Sequence, residues 1–146
     1  MGYPDIIHAQ NFFYAGLAGI RIKRKSKLPL VLTEHSSAFL RDALNERQKQ
    51  LFIRNMSAYD LCLAVSSALA KKLVELIPGL SVEVVGNVVD TNYFKPLPSY
   101  SKKGFTFLIA SRLDHNKRVG DAIRAFSDVF ATEEDTCLWV CGKGSE

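Results

Sequence analysis

Short runs of apolar residues recur along this chain and are separated by stretches with helical periodicity. Each run is four to six residues long, and most runs are continuous, not alternating. Continuous runs are typical of parallel strands that are covered on both faces. The strands predicted from these runs are residues 6–9, 30–33, 61–65, 82–85, 105–110 and 137–141.

Helical patterns lie between most of these strands. In the last of them, Val119 is followed by apolar residues at positions i+3, i+4, i+7, i+10 and i+11, which predicts an amphipathic helix. Ser66 or Ser67 supplies the N-cap of an earlier helix. The alternation of strands and helices predicts an α/β fold with doubly wound parallel sheets. The other predicted helices are residues 13–25, 45–58 and 67–77.

Residues 95–104 have the composition of a linker. Two prolines and Gly104 interrupt the segment, and serines and lysines fill much of the rest. We therefore predict two parts, residues 1–94 with four strands and residues 105–146 with two. Parallel sheets divided in this way leave strand edges and apolar faces uncovered. We expect the isolated chain to self-associate through these open edges, to exchange elements with a second copy, or to be only marginally stable.

The segment from Ser111 to Arg118 is a polar loop between a predicted strand and a predicted helix. It carries two cations, Arg112 and Lys117. The first amides of a helix lack partners within the helix, and the helix dipole is positive there, so such a junction favours anions. The two side chains would add full charges to this partial charge. We therefore predict a ligand that carries phosphate.

The same loop is part of a wider resemblance. Ser111-Arg112-Leu113, followed by Lys117 and a helix that contains Ala125-Phe126, looks like the donor-binding loop of family-4 glycosyltransferases, which are retaining enzymes with the GT-B fold. Other segments resemble further motifs of the family in the same order, so the resemblance covers nearly the whole chain. These segments are Pro4-Asp5-Ile6-Ile7-His8-Ala9-Gln10, Leu30-Val31-Leu32-Thr33-Glu34-His35, Leu63-Ala64-Val65-Ser66, Gly86-Asn87-Val88-Val89-Asp90 with Phe94 and Pro96, and Leu138-Trp139-Val140-Cys141-Gly142-Lys143-Gly144.

The resemblance implies parts of two Rossmann-like domains. Residues 1–94 would be the C-terminal half of the acceptor-side domain, and residues 105–146 the start of the donor-binding domain. The implied reaction transfers a sugar from a nucleotide-sugar donor to a glycan, lipid or small-molecule acceptor, with retention and without a metal or other cofactor. The family's Glu-x7-Glu motif would lie beyond Glu146. We therefore expect a fragment with little transferase activity of its own.

Several residues depart from the family pattern. Gln10 stands in place of the second His of the first motif. Ser111 and Arg118 replace two glycines of the cationic loop, and the second change crowds a position where the family keeps a bare backbone near the diphosphate. The remaining departures are Gly86 and Val88, which replace Pro and Gly in the segment between the domains.

The resemblance also assigns residues to a site. Arg112 and Lys117 would stabilise the leaving diphosphate, and His35 would donate a hydrogen bond to a hydroxyl of the transferred sugar. Without the resemblance, phosphate binding and simple exposure explain the two cations equally well. For His35 the alternative is a capping or core residue held by backbone groups, and we prefer the functional role because it ends a strand at the carboxyl edge of the sheet. The further residues assigned to the donor side are Ser111 and the two glycines of a predicted tight turn, Gly142 and Gly144.

The other histidines and the cysteines have no metal-ligand spacing. His8 is predicted to be structural, because it falls within a buried strand, and His115 is predicted to be exposed. Cys62, Cys137 and Cys141 lie in apolar runs, which predicts buried free thiols in a reducing compartment. We therefore predict a cytoplasmic protein without a metal site.

Composition and charge narrow the choice of partners. The 146 residues are 47% hydrophobic and 23% charged, which is typical of a globular protein, and no apolar run approaches the roughly 20 residues that span a bilayer. The N-terminus lacks the pattern of a signal peptide. A basic cluster could contact the inner face of an anionic membrane, but we prefer the solvated last turn of a helix, and aromatic residues do not interleave with it as nucleic-acid binding would require. The cluster is Arg21, Lys23, Arg24, Lys25 and Lys27.

Two other functions are compatible with the same residues. A GT-B nucleotide-sugar epimerase would share the phosphate-binding loop. A non-catalytic nucleotide-binding or scaffolding remnant would keep the fold without the reaction.

Overall fold

The computed structural model of the protein describes Gly2, residues 4–96 and residues 104–145. The chain forms two compact units, Met1–Thr91 and Asn92–Glu146. Most of the predicted linker, residues 97–103, lies outside the described residues. The assignment of the two parts to an acceptor-side and a donor-binding domain stays a prediction.

A parallel four-stranded sheet lies at the centre of the first unit. Its strands are β1 (Ile7–Gln10), β2 (Leu30–Glu34), β3 (Leu61–Ala64) and β4 (Glu83–Val84). They are adjacent in chain order, and their register pairs Ile7 with Leu30 and Val31 with Leu61. The predicted α/β class with parallel sheets is confirmed. Each predicted strand limit lies within one residue of the observed one.

Four helices connect these strands. They are α1 (Leu17–Ser26), α2 (Ser37–Leu40), α3 (Glu46–Asn55) and α4 (Ser67–Leu76). The Ser66 side chain caps α4 by accepting from the amide of Leu69 at 3.2 Å. At the start of α3, Asn45 and Gln48 form a capping box, in which each side chain accepts from the other residue's amide at 2.9 Å.

The predicted helix 13–25 is wrong in its first turn. Residues Phe12–Gly16 form a π-helical turn, in which Phe13 and Tyr14 have non-helical backbone angles. The short helix α2 was not predicted. The predicted helix 45–58 ends instead in a 3₁₀ turn, Met56–Ala58.

Aromatic rings fill the centre of the first unit. The ring of Phe52 lies 4.9 Å from that of Phe12 and 4.8 Å from that of Phe39, and such pairs contribute beyond the area that they bury. Leu30 and Leu32 of β2 are fully buried in the same core. Phe12 is the first residue of the π-helical turn after β1, so its buried ring fixes the start of this turn in the core.

The residues of the basic cluster at the end of α1 differ in what they contact. Lys23 Nζ donates to the carbonyl of Ala58 at 2.8 Å and to Asp60 Oδ2 at 2.6 Å, which ties α1 to the residues before β3. Arg24 and Lys25 lie in the last turn of α1, where cations face the negative end of the helix dipole. This agrees with the preferred interpretation of the cluster. None of the described helices combines the length and the apolar character needed to cross a bilayer.

The second unit contains two parallel strands, β5 (Phe105–Ala110) and β6 (Thr136–Cys141), and the helix α5 (Val119–Phe130). Phe107 packs on α5, with ring distances of 5.8 Å to Phe126 and 5.3 Å to Phe130. Successive side chains of a strand point to opposite faces, so Leu108 and its partner Trp139 lie on the other face. They are 62% and 53% exposed, so the prediction of strands covered on both faces is wrong for this unit, whereas the expectation that a divided sheet leaves apolar faces uncovered is confirmed here.

Glu34 is a fully buried carboxylate at the end of β2. Its Oε2 accepts from the amide of Phe12 at 2.9 Å, and its Oε1 accepts from the amides of His35 at 3.0 Å and Ser36 at 2.8 Å. A buried charge is tolerated only when it is paired or hydrogen-bonded, and here three backbone donors supply the bonds. The carboxylate thus joins the turn after β1 to the loop after β2.

Replacing this carboxylate should destabilise the first unit. In Glu34→Gln, an NH₂ group would face at least one of these backbone amides, and a buried donor without an acceptor costs about 1–3 kcal/mol. We expect the free energy of unfolding to fall by that amount in urea titrations followed by circular dichroism. Glu46→Gln is the control, because Glu46 is exposed in the first turn of α3 and its loss should change stability by less than about 0.5 kcal/mol. Equal stability of the two variants would contradict the role of Glu34.

The three cysteines differ in their surroundings. Cys62 of β3 is buried, whereas Cys137 and Cys141 of β6 are exposed, so the prediction of buried thiols is wrong for the last two. Burial, and to a smaller extent the nearby charge of Glu34, together raise the pKa of the Cys62 thiol to about 11. The thiolate is the reactive form, so Cys62 should be inert in the folded protein.

Alkylation should distinguish these thiols. With iodoacetamide at about pH 8, near the ordinary thiol pKa, Cys137 and Cys141 should react in the folded protein and Cys62 only after unfolding. Mass spectrometry of the peptides measures each site separately. Modification of Cys62 in the folded protein as fast as that of Cys141 would show that the first unit opens readily.

Candidate functional site

The cationic loop connects β5 to α5 in the second unit. After Ser111, Arg112 and Leu113, Asp114 caps a 3₁₀ turn (His115–Lys117) by accepting from the amide of Asn116 at 3.2 Å. Short polar residues such as Asp commonly bond the backbone two residues on, which explains this turn. The turn ends at the first residues of α5.

The two glycines of the predicted donor site lie against this loop. The Ser111 amide donates to the carbonyl of Cys141 at 3.1 Å, and the Leu113 amide donates to that of Lys143 at 3.0 Å. A Cβ atom on Gly142 would collide with the carbonyl of Ser111, and one on Gly144 with the carbonyl of Leu113. The predicted tight turn is therefore wrong, because the segment continues β6 beside the loop and forms a parallel bridge from Gly144 to Leu113. Glycine is needed here for close approach of two backbones.

Both predicted phosphate ligands are exposed on the loop. Arg112 is 83% exposed in its side chain, and its Nε lies 3.5 Å from Asp114 Oδ2. Lys117 is exposed in the last residue of the 3₁₀ turn, and its amide donates to the carbonyl of Asp114 at 2.8 Å. The shared partner Asp114 thus holds the backbone of one cation and the side chain of the other. Their joint action on a ligand stays a prediction.

A cavity of about 720 Å³ adjoins the same loop. Arg112 and Lys117 are not among its lining residues, whereas Leu113, His115, Arg118 and Arg124 are. His115 is exposed, as predicted. No role was predicted for Arg124, although its position one helical turn from Asp121 indicates an ion pair.

Arg118 lies at the junction between the loop and α5. Its backbone is left-handed, with φ 52° and ψ 41°, a conformation that glycine adopts without steric cost. Its Nε donates to Asp121 Oδ2 at 2.6 Å, and Arg124 binds the other oxygen of the same carboxylate. The hydrogen bond and charge of Arg118, and then those of Arg124, hold the pKa of the Asp121 carboxyl below its usual range.

The N-terminus of α5 differs from those of α3 and α4. Its N-cap residue is Arg118, and no side chain caps the first amides. Side-chain caps are present at α3 and α4, where Asn45 and Ser66 supply them. The amide of Asp121 donates to the carbonyl of Arg118 at 3.1 Å, so an external anion at this helix end would meet the amides that precede it. The positive end of the helix dipole favours such an anion.

The left-handed backbone of Arg118 can be tested by substitution. Arg118→Gly should raise the free energy of unfolding of the second unit by up to about 1 kcal/mol, because an L-residue in this conformation carries a cost of about that size. Unfolding is followed by the fluorescence of Trp139, the single tryptophan of the chain.

Arg124→Gly is the matched control for this substitution. It also removes a cation from Asp121, but it places glycine inside α5 and should lower stability by about 1 kcal/mol. Equal destabilisation by both glycines would contradict a strained backbone at Arg118.

A second group of polar residues lies at the carboxyl ends of β1 and β2 in the first unit. His35, the predicted ligand of the sugar, is exposed, and its Nε2 lies 2.6 Å from Gln10 Oε1. Gln10 Nε2 lies 3.1 Å from Nε2 of His8, which lies 2.7 Å from Thr33 Oγ1. The prediction that His8 is buried is wrong: its side chain is exposed and bonded on the sheet edge. The four residues form one chain of hydrogen bonds.

The same edge borders a cavity of about 1000 Å³. Asn11 and Tyr14 line it with positive φ angles of 67° and 72°, and the Tyr14 side chain is 90% exposed. Asn11 Oδ1 also accepts from the amide of His35 at 3.1 Å. Strained residues of this kind are held in place by their surroundings and are common at ligand sites. The other lining residues include Phe13, Leu17, Arg21, Ser36, Ser37, Leu44 and Gln48.

The predicted site residues therefore form two groups, one in each unit. His35 belongs to the first unit, and Ser111, Arg112, Lys117, Gly142 and Gly144 belong to the second. Within the second group, backbone contacts bring Ser111 against Gly142. Across the described ranges, 4–96 and 104–145, no three His, Cys, Asp or Glu side chains are placed to hold a metal ion. Sequence reasoning missed Glu34, Asn11 and Tyr14; a carboxylate ending an apolar strand was the signal for the first.

Known proteins show where this chain belongs. It is 26% identical over 152 residues to the glycogen synthases of two Mycobacterium tuberculosis strains, CDC 1551 / Oshkosh and ATCC 25618 / H37Rv. The match covers 98% of this chain and 36% of each relative, so the chain spans about a third of the length of the curated relatives it matches.

Two solved structures of GT-B glycosyltransferases share the fold. The GtfA/B complex matches with a TM-score of 0.66 at 18% identity, over 92% of this chain and 28% of that one. A mutant of S. aureus TarM, in complex with fondaparinux, alpha-GlcNAc-glycerol and UDP, matches with a TM-score of 0.61 at 14% identity, over 82% of this chain and 24% of that one. The sequence model of one family, Glycosyltransferase Family 4, matches residues 2–93. Since that match covers more than half of the sequence, the chain belongs to Glycosyltransferase Family 4.

Proposed function

We propose that the protein takes part in the transfer of a sugar from a nucleotide-sugar donor to a glycan, lipid or small-molecule acceptor, with retention of configuration and without a metal. Family membership supports glycosyl transfer. The observation that carries the donor side is the loop from Ser111 to Lys117, which ends at the uncapped N-terminus of α5. A diphosphate at this junction would meet first-turn amides and two cationic side chains.

Each cation has a separate task in this proposal. Expulsion of a nucleoside diphosphate leaves negative charge on the leaving group, so groups already aimed at that charge lower the barrier. The guanidinium of Arg112 suits two-point contact with phosphate oxygens, whereas the ammonium of Lys117 acts as a compact charge. Both side chains are exposed and able to reach a ligand.

In this proposal the cationic loop is the donor loop. Hydrogen bonds within the protein hold its backbone without any ligand. Asp114 holds the 3₁₀ turn, and the amides of Ser111 and Leu113 are bonded to the segment after β6. Little ordering of the main chain is then needed on binding, which lowers the entropic cost. Gly142 and Gly144 support the donor loop in this way, by allowing the two backbones to approach closely.

The acceptor side is assigned to the edge of the first sheet. His35 and two serines line the cavity of about 1000 Å³ there, together with the apolar side chains of Phe13 and Leu17. A cavity lined by both polar and apolar groups suits a sugar with an apolar substituent. The TarM structure was solved with UDP and alpha-GlcNAc-glycerol, which supports a nucleotide and a glycosylated small molecule as first ligands to try.

Nucleotide binding tests the donor side. Lys117→Ala should weaken UDP binding by about tenfold to a hundredfold in isothermal titration calorimetry, because a hydrogen bond to a charged group contributes about 1.5–3 kcal/mol. UMP has no β-phosphate, so it should bind weakly both to the unsubstituted protein and to the Lys117→Ala variant. GDP and ADP are titrated in the same way to identify the base.

Lys71→Ala is the control for this measurement. Lys71 is exposed on α4 of the first unit, and its removal changes the net charge by the same amount as the Lys117 substitution. Equal losses of UDP affinity in the two variants would show that the effect comes from the net charge of the protein and not from a contact with Lys117. Unchanged affinity in Lys117→Ala would contradict the proposed donor site.

A further inference from the structure

The turn after β1 carries two residues in backbone conformations that are unfavourable for any side chain. Asn11 has φ 67° and ψ 143°, close to an extended region at positive φ that is almost confined to glycine. Tyr14 has φ 72° and ψ −80°, close to the angles of a γ-turn with positive φ, which is rare and strained. Glycine at either position would relieve this strain, so the two side chains carry a cost that their contacts have to offset.

The side chain of Tyr14 offsets little of this cost within the protein. It is 90% exposed, so almost none of its apolar surface is removed from water. Among the described residues, none bonds its hydroxyl and no other ring packs on it. Tyr14 does line the cavity of about 1000 Å³ at the carboxyl ends of β1 and β2. Its ring is therefore available to a ligand in that cavity.

The side-chain amide of Asn11 is oriented by the backbone. Its Oδ1 accepts from the amide of His35 at 3.1 Å. A backbone amide only donates, so the atom that meets it must be the oxygen, and the NH₂ group of Asn11 points away from that amide. In the part of the chain that the structure describes, no residue accepts from this NH₂ group. Asn11 lines the same cavity as Tyr14, so its two N–H donors are available to the same ligand.

An aromatic face beside an oriented donor suits a carbohydrate. The face of an aromatic ring is negative, which attracts the weakly positive C–H groups on one face of a sugar ring. The hydroxyl groups of the sugar lie around its edge and need hydrogen-bond partners. Ser36 and Ser37 line the same cavity and can supply such partners together with Asn11.

We propose that Tyr14 and Asn11 bind a sugar ring in this cavity, with one face of the sugar against the Tyr14 ring and a sugar oxygen accepting from Asn11 Nδ2. The proposed function leaves the acceptor as a glycan, lipid or small molecule, and this site narrows it to a carbohydrate. That the bound sugar is the acceptor rests on the proposed function, whereas the sugar site itself does not. Glu34 holds the turn through the amide of Phe12, so both side chains are positioned before a sugar binds.

Titration of the ¹⁵N-labelled protein, followed by nuclear magnetic resonance, tests the site. The probes are the neutral methyl glycosides of glucose, galactose, mannose and N-acetylglucosamine, each added without a nucleotide. At least one glycoside should shift the amide signals of the turn, and its own C–H signals should move upfield because they lie over an aromatic face. Absence of binding by all four glycosides would overturn the proposal.

Two comparison ligands show whether the sugar ring is what binds. Glycerol has hydroxyl groups but no ring, so it should leave the amide signals of the turn unchanged. Uridine could stack its base on Tyr14 instead. Binding of glycerol as tight as that of the best glycoside, or tighter binding of uridine, would refute a sugar site.

Tyr14→Gly separates ligand binding from stability. Removal of the ring should weaken glycoside binding about threefold to tenfold. Relief of the backbone should at the same time slow hydrogen exchange of the β2 amides about fivefold, because β2 lies between two other strands and opens only with the first unit. Tyr14→Phe keeps the ring, and its affinity should stay within about twofold of that of the unsubstituted protein. Unchanged affinity in Tyr14→Gly, or faster exchange, would contradict the role of this ring.

Asn11→Gly tests the oriented donor. Loss of one hydrogen bond should weaken glycoside binding about threefold to tenfold. The amide of His35 keeps Glu34 Oε1 as an acceptor, so the loop after β2 should stay in place. Full affinity in this variant would remove Asn11 from the site and overturn the proposal.

Tyr93→Gly is the matched control for the loss of an exposed tyrosine. Tyr93 is 77% exposed, but it lies in the second unit and does not line the cavity. The substitution should change neither glycoside affinity nor exchange of the β2 amides. A loss of affinity equal to that of Tyr14→Gly would show that the effect is not specific to the cavity.

Failure of this inference and failure of the proposed function can be told apart. Glycoside titrations need no nucleotide, and UDP titration of Lys117→Ala does not involve Tyr14 or Asn11. Glycoside binding that depends on Tyr14, together with unaltered UDP affinity in Lys117→Ala, would keep the sugar site and reject the donor site.

Discussion

The buried carboxylate of Glu34 is the interaction on which the first unit's polar edge depends. It accepts from amides on two separate segments, the turn after β1 and the loop after β2. A backbone amide that loses its partner inside a protein is costly, so these segments are fixed relative to each other by one side chain. Since His35 and Ser36 follow Glu34 directly, their positions are set by the same group.

The burial of Glu34 also affects residues that take no part in binding. Burial of the Cys62 thiol and of the Tyr59 hydroxyl raises the pKa of both groups, and the negative charge of Glu34 adds a smaller effect in the same direction. Both side chains therefore stay neutral around the buried charge. The strained backbones of Asn11 and Tyr14 lie in the turn that Glu34 holds, which explains how their unfavourable angles persist next to a cavity.

Regular helices and strands could be predicted well from the sequence, and irregular turns could not. The strand 105–110 and the helix that begins at Val119 follow from apolar patterns alone, because regular elements bury one face with a fixed period. The turn at Phe12 does not follow from such a pattern, because its conformation depends on a carboxylate 22 residues away. The exposure of Leu108 does not follow from the apolar run either, since such a run predicts a strand but not what covers it; it follows only from the division of the sheet between two parts of the chain.

The candidate site was predictable in its residue types and less so in its geometry. The cationic loop could be located from Arg112 and Lys117, because a strand, a polar loop and a helix follow one another there. The reason for the glycines could not be read from the sequence, since the backbone of Ser111 approaches Gly142 only once β5 and β6 are paired. In the same way, the sequence shows Glu34 as a carboxylate at the end of an apolar run. It does not show the three amide partners, because the folded chain brings them to the carboxylate.

Two departures from the family pattern, Gln10 and Arg118, receive specific contacts. At Arg118 the backbone keeps the left-handed conformation for which glycine is best suited, and the added side chain turns toward Asp121. At Gln10 a residue that cannot titrate stands where the family has an imidazole. Its Oε1 lies 2.6 Å from Nε2 of His35, and its Nε2 lies 3.1 Å and 3.5 Å from the two ring nitrogens of His8. The amide oxygen only accepts hydrogen bonds, so Nε2 of His35 is the donor in the first of these contacts.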